Sequence, residues 1–289
     1  MGAVYKREVK ANLMSMTGTI FVVFTLVFLG LFCAVYTFQG SAHLESAIVS
    51  AGFMSLLAVP VLTMRTFTEE RQSKTDQLLF SLPLTTAQIV CGKFFALATV
   101  MAVPTAVLCI YPLITAALCA SGSINFGLIY ASVLCYFLLG CAVIAVCMFL
   151  SSLTESQVIS VIISLAAVLL LYYMPTFSSM ISTNATLSFV ITLAVIAVVA
   201  YIIWASVKNY VVAGIAGGVL VIAASVTFAL KSSFYEGLIG KVFEALAIFR
   251  PIQNFANGVF DVTSIIYYLS VTALFVFFTV QSVEKRRWN

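Results

Sequence analysis

Few residues in this 289-residue chain are able to do chemistry: 14 Lys and Arg, 10 Asp and Glu, one histidine and seven cysteines. No paired carboxylates, histidine cluster or serine–histidine arrangement falls inside an apolar stretch, so no catalytic residue is assigned and an intramembrane enzyme is disfavoured. His43 reads as an exposed loop residue. Cys33, Cys91, Cys109, Cys119, Cys135, Cys141 and Cys147 lie in or beside apolar runs without a Cys-x-x-Cys spacing. Each reads as a small buried hydrophobe, and no metal ligand is assigned. No Gly-x-x-x-x-Gly-Lys-Ser/Thr phosphate loop exists: Gly92-Lys93 lacks the upstream glycine, and Phe94 stands where the magnesium-binding hydroxyl belongs. The chain is expected to bind no cofactor, so any ATP it uses must be held by another protein.

The remaining polar residues gather in short segments. Over 65–93, Arg65, Glu69, Glu70, Arg71, Lys74, Thr75 and Asp76 precede an apolar half ending at Pro83. That pattern predicts a helix lying along the membrane surface, with Glu69, Glu70 and Arg71 facing water. Pro83 would end it, and Thr85 with Gln88 would form a capping box opening the next helix. In Ser151–Gln157, Thr154 and Gln157 make a second capping box around Glu155. Both segments have two readings, a docking surface for a partner or a solvated loop whose charges merely stay wet.

At the N-terminus, Tyr5, Val9, Leu13 and Met16 recur at helical spacing opposite Lys6, Arg7 and Lys10, which predicts an interfacial helix over 1–16. Its basic face would meet anionic head groups or a partner. Residues 234–249 place Leu238, Ile239, Val242, Phe243, Leu246 and Phe249 opposite Glu236, Lys241 and Glu244. This predicts an outer amphipathic helix, ended by Arg250-Pro251, within an extracytoplasmic segment 231–262.

The elements that must position these groups follow from composition. The chain is 63% hydrophobic and 8% charged, with mean hydropathy +1.15. A soluble domain carries about a quarter charged residues, so this is an integral membrane protein. Runs of the length needed to span the hydrocarbon layer occur at 17–40, 46–64, 94–119, 126–150, 157–174, 186–207, 210–230 and 263–283. None has the alternating texture of a barrel strand, and open sheets fail in lipid. The expected fold is an all-α polytopic membrane protein of about eight transmembrane helices. The first is long enough to be retained rather than cleaved as a signal. A re-entrant hairpin over 186–230 stays open.

With the N-terminus inside, eleven of the 14 basic residues fall on the inner side and three, Lys231, Lys241 and Arg250, on the outer. Both termini are therefore expected in the cytoplasm. Every charged residue lies between spans or at a span edge, which argues against an ion-coupled carrier. Proline at 60, 104, 112 and 175 is expected to kink helices or mark their ends. The uncharged spans favour an apolar or amphipathic substrate.

Four segments carry a family resemblance: Tyr5-Lys6-Arg7-Glu8; Pro60 to Arg65 with Glu69-Glu70-Arg71 and Gly92-Lys93; Ser151 to Gln157; and Gly258 to Asp261 with Tyr267-Tyr268-Leu269 and Arg286-Arg287-Trp288. Through them the chain resembles, from end to end, the membrane subunit of ABC-2 type ATP-binding-cassette transporters, specifically the gliding-motility branch of bacterial permeases. The resemblance implies a single permease domain over 1–289 in the bacterial cytoplasmic membrane, with a six-span core plus two extra spans. It implies a dimer, of like or unlike permease chains, seated on a cytoplasmic ATPase that holds ATP and magnesium. An extracytoplasmic auxiliary membrane protein and export are implied too. Arg65, Glu69, Glu70, Arg71 and Thr75 would belong to the coupling helix that seats in the ATPase, with Thr154, Glu155 and Gln157 beside it. Members typically carry Gly-Thr after Glu-Glu-Arg, where this chain has Lys74-Thr75, so the turn there is expected to be helical. A polytopic scaffold without a pathway is the alternative.

Overall fold

The computed structural model describes residues 2–38, 44–74, 85–118, 125–180 and 238–287, and every regular element among them is helical. A helix suits lipid because it satisfies its own backbone hydrogen bonds. α1 (Gly2–Met14) turns at Ser15 into α2 (Met16–Phe38). The Ser15 hydroxyl builds the corner, donating to the Asn12 carbonyl at 2.8 Å and accepting from the Gly18 N–H at 3.1 Å. A β-carbon at Gly18 would overlap the Asn12 carbonyl, so only glycine fits this close approach.

α3 (Leu44–Leu56), α4 (Val59–Thr63) and α5 (Arg65–Gln72) follow in succession, the axis bending 44° between α3 and the pair after it. Pro60 lies in the first turn of α4, where its missing N–H costs little. α6 (Thr86–Leu108) and α7 (Tyr111–Leu118) make one interrupted crossing, with Pro104 inside α6 and Pro112 opening α7. α8 (Phe126–Leu153) and α9 (Gln157–Met180) come next, Pro175 lying within α9. After them come α10 (Leu238–Leu246), α11 (Arg250–Ala256) and α12 (Val262–Arg287). Of the prolines at 60, 104, 112 and 175, two thus mark helix starts and two sit inside helices.

Among the described residues, five stretches are long and apolar enough to cross a membrane: Met16–Tyr36, Thr86–Ala117, Phe126–Leu153, Gln157–Ser178 and Val262–Arg286. The bent run Leu44–Gln72 raises the number to six. Of the eight expected spans, 186–207 and 210–230 lie outside the described residues. So do His43, Cys119, Thr75, Asp76 and Pro83.

The chain divides into two units, Met1–Tyr172 with Ile248–Asn289, and Tyr173–Ala247. In the first, α8 is central and packs against α3, α6 and α12. Its small residues explain why: Gly140, Cys141, Ala142, Ala145 and Cys147 are all buried, and small side chains let helix backbones approach where no water drives them together. Tyr136, fully buried on α8, shares a 2.8 Å hydrogen bond with Ser55 of α3. Outward, Val23, Val27 and Leu31 of α2 and Ile266, Leu269 and Phe277 of α12 are exposed, as lipid-facing positions should be. In the second unit, the Ser178 hydroxyl donates to the Gly240 carbonyl at 3.1 Å, and Val242 and Leu246 of α10 are exposed.

The expected outer helix ends earlier than its pattern, and its first residues, 234–237, lie outside the described residues. α10 stops at Leu246, and Arg250-Pro251 opens α11 instead of closing α10, since proline suits a helix's first turn. Phe249 therefore leaves the amphipathic face. It is buried in the first unit, edge-on to Tyr172 at 5.4 Å and Phe53 at 5.9 Å. Farther on, Gly258 takes φ +76°, and Asp261 opens α12, accepting from the Ser264 hydroxyl at 2.8 Å and the Thr263 N–H at 2.9 Å. The Ser264 bond, then those of Thr263, hold the Asp261 carboxyl below its ordinary range.

Candidate functional site

At one end of the first unit, the structure brings together charged residues from α1, α5, α6, the α8–α9 turn and α12. α5 organises them. Thr66, Phe67 and Thr68 turn into the protein, Glu69 and Gln72 turn out, and Glu70 and Arg71 lie at the flanks. Glu69 points into solvent, 52% exposed, and clamps Arg65 one turn back through two bonds of 2.8 and 2.9 Å. That hydrogen bonding raises the Arg65 pKa.

Glu70 and Arg71 do not face water as the amphipathic pattern predicts. The Glu70 carboxylate accepts the Lys93 ammonium at 2.8 Å and the Arg7 guanidinium at 3.2 Å. Lys93, two turns into α6, is 2% exposed. Its ammonium also donates to the Thr66 carbonyl at 2.8 Å, approaches Glu8 at 3.6 Å and lies 5.3 Å from the centre of the Phe67 ring. Arg7 completes the cluster by bonding Glu8 at 3.0 Å, and this bond is the main reason its pKa is raised. Among the described residues, two cations and two carboxylates thereby tie α1, α5 and α6 together with balanced charge. A buried ammonium survives only with such partners. Tyr5 shares a 2.9 Å hydrogen bond with Thr99, so α1 packs along α6 as well as presenting exposed Leu13 and Met14.

Arg71 reaches the other way, across the end of α8. It donates to the Thr154 carbonyl at 2.6 Å and to the Ser152 carbonyl. Arg286 of α12 takes the carbonyl between them, Leu153, at 3.1 Å and lies 3.7 Å from Glu155. The last carbonyls of a helix have no partner within it and carry partial negative charge, so two guanidinium groups are suited to this end. The Ser151 hydroxyl adds a 3.3 Å bond to the Met64 carbonyl, and Ser152 donates to Ser282 at 3.0 Å.

Thr85 and Gln88 form the expected capping box at the start of α6. Thr154 and Gln157 do not form theirs: Thr154 ends α8, its hydroxyl directed to Ser151 at 3.5 Å, and α9 begins only at Gln157. The Lys74 turn differs also. The helix stops at Ser73, and Lys74 takes φ +54°, the left-handed conformation natural to glycine. Of the expected site residues, Arg65, Glu69, Glu70, Arg71, Thr154, Glu155 and Gln157 lie at this one end, and Thr75 is outside the described residues. The sequence reading missed Lys93 and Glu8 as working parts. The available signal was a lone lysine in Ile89-Val90-Cys91-Gly92-Lys93-Phe94-Phe95, where an apolar setting demands a carboxylate.

The family described as ABC-2 family transporter protein matches residues 9–210, well over half of the chain and inclusive of α5, Lys93 and the α8–α9 turn. No curated protein and no solved structure matches.

Proposed function

The chain belongs to the ABC-2 transporter family as a multi-pass membrane permease, and we propose that it is an exporter subunit driven by ATP hydrolysis on a separate cytoplasmic ATPase. The observation that carries this reading is the placement of α5. Its inner side is bonded to α1, α6 and the end of α8, while Arg65, Glu69 and Gln72 form the outer side. A push on that outer side would reach three other elements through short polar contacts. In this reading α5 is the coupling helix, Glu155, 82% exposed, lies on the same docking surface, and ATP and magnesium stay on the partner. The permease pairs with a second permease chain, keeps both termini in the cytoplasm, and belongs to the gliding-motility branch of bacterial inner-membrane permeases. The exposed Val242 and Leu246 of α10 would meet an auxiliary protein on the other side.

The test is affinity purification in mild detergent with identification of co-purifying proteins. Glu69→Lys is the informative variant, because among the described residues Glu69 is ion-paired with Arg65 on its own helix, whereas Glu70 and Arg71 also hold the fold. A nucleotide-binding chain should co-purify and be lost with Glu69→Lys at unchanged expression. If no such chain appears in several detergents, the permease lacks the proposed engine and the scaffold reading takes its place. Retention of the ATPase by Glu69→Lys would move the docking surface away from α5.

A further inference from the structure

Between the ends of α8 and α12 lies a groove of about 940 Å³ that the coupling reading does not use. Its floor is aromatic, with Phe149 of α8 5.8 Å from Phe278 of α12. Above the floor, Phe278, Gln281, Ser282 and Lys285 follow at i, i+3, i+4 and i+7, which places them on one face of α12. Over about 10 Å of helix that face passes from aromatic to neutral polar to cationic. A glycerophospholipid has the same order of polarity, from acyl chain through ester to phosphate. The groove also lies where the last apolar turn of a span meets its charged end, which is the depth of a head group. Two cations stand at its rim, Arg286 facing Glu155 at 3.7 Å and Lys285 exposed beside Glu284, so Lys285 is the cation at the polar end of this face that an anionic phosphate would meet.

We propose that this groove binds an anionic glycerophospholipid, its chain against Phe149 and Phe278 and its phosphate at Lys285 and Arg286. Because Arg286 also holds the Leu153 carbonyl and approaches Glu155, the bound lipid would brace the turn that Arg71 grips from the other side. The proposal rests only on the chain's residence in a membrane. Its failure would leave the permease reading untouched.

The test uses the full chain in mild detergent, with lipid retention read by native mass spectrometry against phosphatidylglycerol or phosphatidylcholine. The wild type should retain phosphatidylglycerol preferentially. Lys285→Gln, an exposed position, should weaken that retention about five-fold without changing phosphatidylcholine. Lys241→Gln, an exposed lysine on α10, should change neither. Equal retention of the two lipids by the wild type would overturn the proposal, as would equal losses in the two lysine variants. Displacement of the lipid by glycerol 3-phosphate would overturn it in favour of a site for free phosphate. Disulfide-linked dimers of Gln281→Cys would overturn it by showing that a second copy of the chain fills the groove.

Discussion

Lys93 shows how a single residue's environment changes what a variant would mean. Charge reversal at Glu70 looks from the sequence like a clean way to disturb a docking surface. In the structure it would bring a third cation beside Lys93 and Arg7 and leave Glu8, among the described residues, to balance them. Glu70→Lys is therefore expected to lower the yield of folded protein, which would mask any effect on coupling. Lys93→Met tests the cluster directly. It takes from Glu70 its 2.8 Å partner, and removing one partner from a buried ionic group costs about 3 kcal/mol. The thermal midpoint in detergent should fall, with Glu8→Gln falling less, because Glu8 is the more distant partner at 3.6 Å. An unchanged midpoint for Lys93→Met would show that the cluster contributes nothing to the fold.

For the element α5, its end matters as much as its faces. Helices commonly stop where one residue takes a left-handed conformation, and a side chain there costs about 1 kcal/mol relative to glycine. Lys74 occupies such a position with φ +54°. Lys74→Gly should stabilise the protein by about 1 kcal/mol, visible as a higher thermal midpoint. A fall would mean that the Lys74 side chain has a favourable contact that outweighs the strain. The α8 C-terminus is a complementary case, because its carbonyls are satisfied by arginines from two other elements. Nothing in the local pattern of Ser151–Gln157 announces that arrangement, and the capping box read from Thr154 and Gln157 gives way to it.

For the whole molecule, side chains from α1, α5, the α8–α9 turn and α12 meet at one end of the first unit, which requires these segments to lie on one side of a membrane. Cysteines substituted at Lys10, Glu69 and Glu155, all exposed, should therefore react with an impermeant thiol reagent from the same face. In the proposed reading, which rests on the count of basic residues, that face is the cytoplasmic one. Labelling of any one of them from the opposite face of sealed vesicles would break the topology.

The sequence by itself determined the membrane class, the helical architecture and six of the stretches able to span. Those properties follow from summed hydrophobicity, span length and the distribution of charge, all of them local or additive quantities. The Thr85–Gln88 cap was legible for the same reason, since its partners are three residues apart. Only the tertiary structure decided that Glu70 and Arg71 turn inward, that Lys93 is enclosed by carboxylates from α1 and α5, and that Phe249 leaves its helical face for the core. Each of these joins residues distant in sequence, Glu8 and Lys93 being 85 positions apart. A charge's own segment shows that it needs a partner, whereas the choice of partner depends on which helices pack side by side.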